Sequence, residues 1–178
     1  MSPRSDEELM LDFKRGEGRA FEELFGRYKN AIYGYVRRRV GDPGRAEEIT
    51  QDVFLALVRQ RNGYEVESTF RTYLYRIAMN RVVSEYRRKK ENDPLPDALP
   101  AAGGDPSVVQ QVREALERLD PEQREIVTLR EYQGLSYDEI ARVLDIPVGT
   151  VRSRLFRAKM ALRDLLAPRW SEREVKGR

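Results

Sequence analysis

Neither cysteine nor histidine occurs among the 178 residues. Their absence removes disulfides, thiolate nucleophiles, imidazole acid–base catalysis and the usual zinc sites, and it fits a cytoplasmic chain. No apolar run reaches the length of a membrane span. Met1-Ser2-Pro3-Arg4 leads straight into acidic residues, unlike the core of a signal peptide. Strand-like alternation, internal repeats and heptad arrays are all missing, which leaves an all-helical reading. The first 90 residues show no phosphate cradle, metal constellation or activated nucleophile. The expectation is a binding protein without a cofactor, not an enzyme.

Charge is plentiful but unevenly placed. The formal net charge is +3, yet residues 1–90 carry 19 Lys and Arg against 14 Asp and Glu. Basic charge held in particular stretches suits a protein that meets phosphates at chosen places. Residues 91–106, ENDPLPDALPAAGGDP, hold four acids, four prolines and two glycines with no base, which is the composition of a linker. The reading is therefore all-α, with small helical domains at 5–90 and 107–166, an acidic linker at 91–106, and a tail at 167–178. That tail is polar apart from Trp170 and Val175, and no role is assigned to it.

In the first domain, Ser5 and Glu8 form a capping box that opens a short helix ended by Gly16. Phe21, Leu24, Phe25, Tyr28, Ile32, Tyr35 and Val36 then recur at three- and four-residue spacing as a core stripe. Arg37-Arg38-Arg39 suits the C-terminal end of that helix dipole, with contact to DNA as the alternative. Asp42-Pro43 starts a third helix and Gly63 stops it. Its buried side is Ile49, Val53 and Leu57 with Phe54. Glu47, Glu48, Gln51 and Asp52 make an acidic, amide-bearing surface, either solvated or matched to a basic partner. After a polar loop at 62–68 containing Tyr64, Ser68 is expected to cap a helix from Thr69 to Lys90. Phe70, Leu74, Ile77, Ala78 and Val82 are its core positions. From residue 71 to 90 that helix has seven bases and one acid, Glu85, interleaved with Tyr73, Tyr75 and Tyr86. Aromatics among cations hold single-stranded nucleic acid, each stacked base contributing about 1–3 kcal/mol. The other reading is a core helix with half-buried tyrosines.

In the second domain, Val108, Val109, Val112, Leu116 and Leu119 mark one helix. Asp120-Pro121 caps another that carries Ile126, Val127 and Leu129 and stops at Gly134. Gly134 to Leu162 then reads as a helix-turn-helix. Ser136 and Glu139 form a capping box, Ile140, Ala141, Val143 and Leu144 give an apolar face, and Pro147 breaks the helix. The second helix starts near Val148, with Val151, Leu155, Ala158 and Leu162 on its inner side. Its outer face carries Gly149, Thr150, Arg152, Ser153, Phe156, Arg157 and Met160. Five bases and no acid lie between Gly149 and Arg163. This suits a recognition helix in the major groove, where Arg reads guanine edges or phosphates and Phe meets a thymine methyl. A solvated basic face is the plainer alternative.

Four segments in order, EEITQDVFLALV (47–58), FRTYLYRIAMNRVVSEYRRKK (70–90), LDPEQREIVTLREYQGLSYDEIA (119–141) and IPVGTVRSRLFRAKMALR (146–163), resemble the sigma-70 family. The likeness is to its extracytoplasmic-function (ECF) kind, which keeps only the second and fourth sigma regions. The resemblance implies an alternative sigma factor that binds core RNA polymerase and directs promoter-specific initiation. On that resemblance Gln51, Asp52 and Phe54 contact the polymerase clamp helices. Tyr64, Phe70, Arg76, Asn80, Arg87 and Arg88 contact the melted −10 strand, a base of which enters a pocket lined from the 62–68 loop. Thr150, Arg152, Ser153, Phe156 and Arg157 read the −35 duplex. It also implies an anti-sigma partner and a linker threaded through the polymerase. Tyr73, Val58 and Asp145 stand where the family usually has Trp, Trp and Gly. A dimeric helix-turn-helix regulator is the main rival, and it predicts palindromic sites and tight binding without polymerase. A recombinase is the other, and it would need a catalytic domain that these residues do not form.

Overall fold

The computed structural model describes residues 4–90 and 106–176. The stretch read as an acidic linker lies outside the described residues, save Pro106, as does the side chain of Trp170. Among the described residues every regular element is helical, and no helix is long and apolar enough to cross a membrane. The chain divides into two compact units, one built on the first four helices and one on the last four.

The first unit contains α1 (Asp6–Lys14), α2 (Gly18–Val40), α3 (Pro43–Gln60), a 3-10 turn (Arg61–Gly63) and α4 (Phe70–Lys90). Ser5 Oγ accepts the Glu8 N–H at 3.2 Å and Glu8 Oε2 accepts the Ser5 N–H at 2.8 Å, so the expected capping box opens α1. Asp42 Oδ1 accepts the Arg45 N–H at 2.7 Å and Pro43 occupies the first turn of α3. The cap of α4 is Thr69 rather than Ser68. Thr69 directly precedes the helix, and its Oγ1 accepts the Thr72 N–H at 3.2 Å, the reach an N-cap oxygen has to the third helical residue.

Helix α2 packs against α1, α3 and α4. Leu24, Ile32, Tyr35 and Val36 of the predicted stripe are buried, but Phe25 stays 39% exposed with its ring edge-on to Phe54 at 4.8 Å. Helix α4 contributes all five expected core residues, and Thr72, Tyr75 and Glu85 as well. The last three are polar or amphipathic, so hydrophobic spacing alone passes over them. Tyr75 packs edge-on against Tyr35 at 5.5 Å, and Tyr86 donates its hydroxyl to the Arg39 carbonyl at 2.5 Å. These tyrosines brace α4 against α2. They are not a free stacking platform.

The second unit contains α5 (Pro106–Glu117), α6 (Pro121–Val127) continued by a π turn (Thr128–Tyr132), α7 (Tyr137–Leu144) and α8 (Val148–Lys176). Pro106 belongs to the first turn of α5 and not to the linker, a position where its missing N–H costs nothing. Asp120 makes no side-chain cap on α6. The neighbouring chain end is satisfied differently: Arg124 donates to the Leu116 carbonyl at 3.0 Å and to the Glu117 carbonyl, capping the C-terminus of α5. Helix α8 rests on α6 and α5, so its apolar stripe serves the whole unit and not α7 alone. The backbone of α8 runs on to Lys176, so the stretch read as a tail without a role is helical to that point.

Candidate nucleic-acid interface

The turn between α7 and α8 is held by chemistry visible in each residue. Ser136 and Glu139 form the second capping box, at 3.2 and 2.8 Å. Asp145 ends α7 in the left-handed region, φ 54° and ψ 49°. Short polar side chains tolerate that conformation better than other non-glycine residues. The Pro147 carbonyl then accepts the Thr150 and Val151 N–H groups at 2.9 and 3.1 Å and starts α8. Val151, Leu155 and Ala158 are buried, which turns Arg152, Ser153, Phe156 and Arg157 outward, with Thr150 half-buried at the rim. Phe156 is 65% exposed.

The five bases of this helix are not equivalent. Arg154 pairs with Glu122 at 3.0 Å, Lys159 with Glu131 at 3.2 Å and Arg163 with Asp164 at 3.0 Å. Among the described residues Arg152 and Arg157 have no acidic partner; Arg157 touches only the Ser153 carbonyl, at 3.4 Å. The unneutralised cations therefore flank Phe156. Composition counts five bases, and the fold leaves two for a polyanion.

On α4 the exposed residues Arg76, Asn80, Val83 and Arg87 follow each other at four-, three- and four-residue steps, one continuous stripe. Among the described residues neither Arg76 nor Arg87 has an ion pair. Arg88 is exposed too but bonds Glu85 at 3.0 Å, so it is partly neutralised. Val83 was not expected on this face, although it lies seven residues beyond Arg76. Glu85 is enclosed, its side chain 4% exposed, and it accepts Arg45 Nε at 2.9 Å and Nη2 at 2.7 Å. Those hydrogen bonds from Arg45 hold its carboxyl below the ordinary carboxylate range, with Arg88 adding to the effect.

Two of the expected −10 contact residues are inside. Tyr64 is 1% exposed and Phe70 fully buried, with their rings 6.4 Å apart and Tyr73 edge-on to Tyr64 at 5.2 Å. Neither ring reaches the surface, so both line the underside of the loop and cannot meet a strand directly as placed. Among the described residues the Tyr64 hydroxyl has no hydrogen-bond partner, and burial, with Glu7 nearby, pushes the phenol up to about 12. Tyr73 is half-buried, and its hydroxyl donates to the Gln60 carbonyl at 3.5 Å.

On α3, Gln51 and Asp52 are exposed beside Glu47 and Glu48. Phe54 is 3% exposed, which removes it from the contact set, because its ring is seated against Phe25. Leu55 takes the outward position, 50% exposed, four residues after Gln51. That spacing was readable. Phe54 stood both on the expected buried side of α3 and among the expected contacts, and Phe25, on another helix, keeps it inside.

Two helical units, one with a helix-turn-helix whose outer face keeps free arginines and one with a free basic stripe, define a two-domain DNA-binding protein. Comparison with known proteins sharpens this. Residues 24–92 match sigma-70 region 2 and residues 109–162 match sigma-70 region 4. The RNA polymerase sigma-H factor of Pseudomonas aeruginosa is 33% identical, over 94% of this chain and 97% of its own length. The ECF RNA polymerase sigma-E factor of Escherichia coli K12 is 34% identical, over 92% and 95%. Among solved structures, CnrH in complex with the cytosolic domain of CnrY superposes with a TM-score of 0.74 at 26% identity, over 93% of this chain and 99% of that one. The sigma factor RpoE of Bartonella quintana, solved with the anti-sigma factor NepR, gives 0.71 at 25% identity, over 83% and 96%.

The chain belongs to the sigma-70 family, as an ECF sigma factor. It is an alternative sigma factor, and it directs transcription initiation with RNA polymerase at promoter DNA.

Proposed function

We propose that the two basic faces divide the promoter between them. The α8 face, with Thr150, Arg152, Ser153, Phe156 and Arg157, reads the −35 element as duplex. The α4 stripe, with Arg76, Asn80 and Arg87, holds the unstacked −10 strand, and Arg88 adds charge at its end. Gln51, Asp52 and Leu55 of α3 dock on core polymerase, their negative and apolar character suited to a basic partner. The observation that carries the reading is that, among the described residues, Arg152 and Arg157 flank the exposed Phe156 without an acidic partner and Arg76 and Arg87 share one exposed stripe of α4 without one, while Arg154, Lys159 and Arg88 beside them pair with acids of the same unit.

No covalent step is required of the protein. Opening a promoter trades base pairing, a few kcal/mol for each extruded nucleotide, against binding of the freed bases and the docked polymerase. The chain thus acts as a specificity factor and not an enzyme, and its place of work is the cytoplasm, where its relatives meet DNA and polymerase. Two solved relatives hold another protein, one of them named an anti-sigma factor, which supports an anti-sigma partner for this chain.

The test is reconstituted transcription with purified protein, bacterial core polymerase and templates randomised in both promoter segments. Initiation is expected from templates that share two motifs. Arg152→Ala with Arg157→Ala abolishes selection at −35, and Arg76→Ala with Asn80→Ala abolishes it at −10, each bidentate contact having been worth about 1–3 kcal/mol. Loss of both selections from either pair alone would show that the faces are not separate readers.

A further inference from the structure

The segment 61–69 connects α3 to α4 and has little secondary structure of its own, yet three contacts from α1 hold it. Lys14 Nζ donates to the Tyr64 carbonyl at 2.9 Å. Glu7 Oε1 accepts the Phe70 N–H at 2.8 Å, so α1 satisfies a donor at the start of α4 that α4 cannot satisfy itself. The Arg61 guanidinium lies 5.6 Å from the centre of the Phe13 ring. Beneath these contacts the Tyr64 ring is enclosed, with no partner for its hydroxyl among the described residues. A polar atom buried without a partner is costly, about 1–3 kcal/mol. Its persistence means that the surroundings determine where the ring sits.

Helix α1 is itself anchored on α2. Asp6 accepts from Arg27 at 2.6 Å and from the Tyr28 hydroxyl, and the Tyr28 ring meets Phe70 edge-on at 5.4 Å. The loop therefore has a rigid backing made by an element that carries none of the contact residues. Lys14 and Glu7 grip only backbone groups, one in the loop and one at the start of α4, which sets the path between them whatever the loop's side chains are.

We propose that Glu7 and Lys14 are positioning residues for −10 base selection: by gripping the loop and the start of α4 they fix which base the 61–69 segment accepts. This rests on the reading of α4 as the −10 face. A base-sized site tolerates little displacement, so release of either grip alters discrimination between bases rather than overall binding.

The experiment uses the full chain with bacterial core polymerase and templates randomised across the −10 segment. Glu7→Ala and Lys14→Met each change the relative use of bases at one or more −10 positions by about fivefold, the low end of coupling between connected sites. The −35 preference remains that of the wild type. Glu7→Gln keeps an oxygen for the Phe70 N–H and Lys14→Arg keeps a donor for the Tyr64 carbonyl, and both bring the base profile back toward wild type. Thermal melting of each variant is read alongside. An unchanged base profile in Glu7→Ala and Lys14→Met overturns the proposal. So does a uniform loss of initiation that tracks a lowered Tm, because the two residues would then only stabilise the fold. Arg76→Ala with Asn80→Ala in the same library separates the two levels. If that variant keeps −10 selection, the reading of α4 fails. If it loses selection while Glu7→Ala and Lys14→Met keep theirs, only the role of α1 fails.

Discussion

Glu85 is the one acid between residues 71 and 90, and burial makes it structural. It receives two hydrogen bonds from Arg45 on α3 and one from Arg88, so it ties α4 to α3 beneath a basic surface. Because its folded carboxyl titrates below its ordinary value of 4.5, the stabilisation is fully present above that value and fades as pH falls through the lowered one. Glu85→Gln is expected to cost about 1.5–3 kcal/mol at neutral pH, the range for hydrogen bonds to a charged group. The variant should also lose less stability than wild type as pH falls below 4.5. Urea midpoints across that range check both signs. An equal acid sensitivity in the two proteins would show that Glu85 is not the group responsible. The same residue also decides how the surface behaves, since Arg88 is partly neutralised by it and Arg87 is not.

At the scale of elements, the two capping boxes and the left-handed residue at the end of α7 explain where helices begin and end. Asp145 sits at φ 54°, a conformation glycine adopts without steric penalty. Asp145→Gly should raise the stability of the protein by about 0.5–1 kcal/mol, and Asp145→Val should lower it by more than about 1 kcal/mol. Denaturant midpoints give both values, and matching shifts of the same sign would refute the conformational account. Helix α4 is the element on which sequence and structure differ most usefully. Its tyrosines were readable as aromatics among cations, but Tyr75 and Tyr86 brace the core and Tyr73 is half-buried. One outward stripe of Arg76, Asn80, Val83 and Arg87 remains, with the partly neutralised Arg88 beside its end.

For the whole molecule, two faces proposed to share the promoter on one chain imply weak binding by each face alone. Arg152 and Arg157 are few cations for a duplex, and each phosphate contact contributes a term that fades with salt. The free chain is expected to bind promoter duplex poorly at physiological salt. Core polymerase should raise apparent affinity for the same DNA by at least about 100-fold, because the second contact becomes intramolecular. Fluorescence anisotropy of labelled promoter DNA with and without core measures this. Tight, specific binding by the chain alone would favour the dimeric regulator.

Much of this protein is determined by local chemistry in the sequence. The all-helical class, the capping boxes at Ser5 and Ser136, the break at Pro147 and the outward face of α8 all follow from side-chain spacing and backbone preference within one helix. These are short-range effects, so a single segment contains their cause. The tertiary structure alone decided which cations are free, because Arg154 and Lys159 are neutralised by acids some 30 residues earlier in the chain. It also decided that Tyr64 turns inward, that Leu55 turns outward, and that Lys14 and Glu7 of α1 hold the loop and the start of α4, 50 and 63 residues further on. Pairing and burial depend on what a second helix presents, and no periodicity within the first helix encodes that.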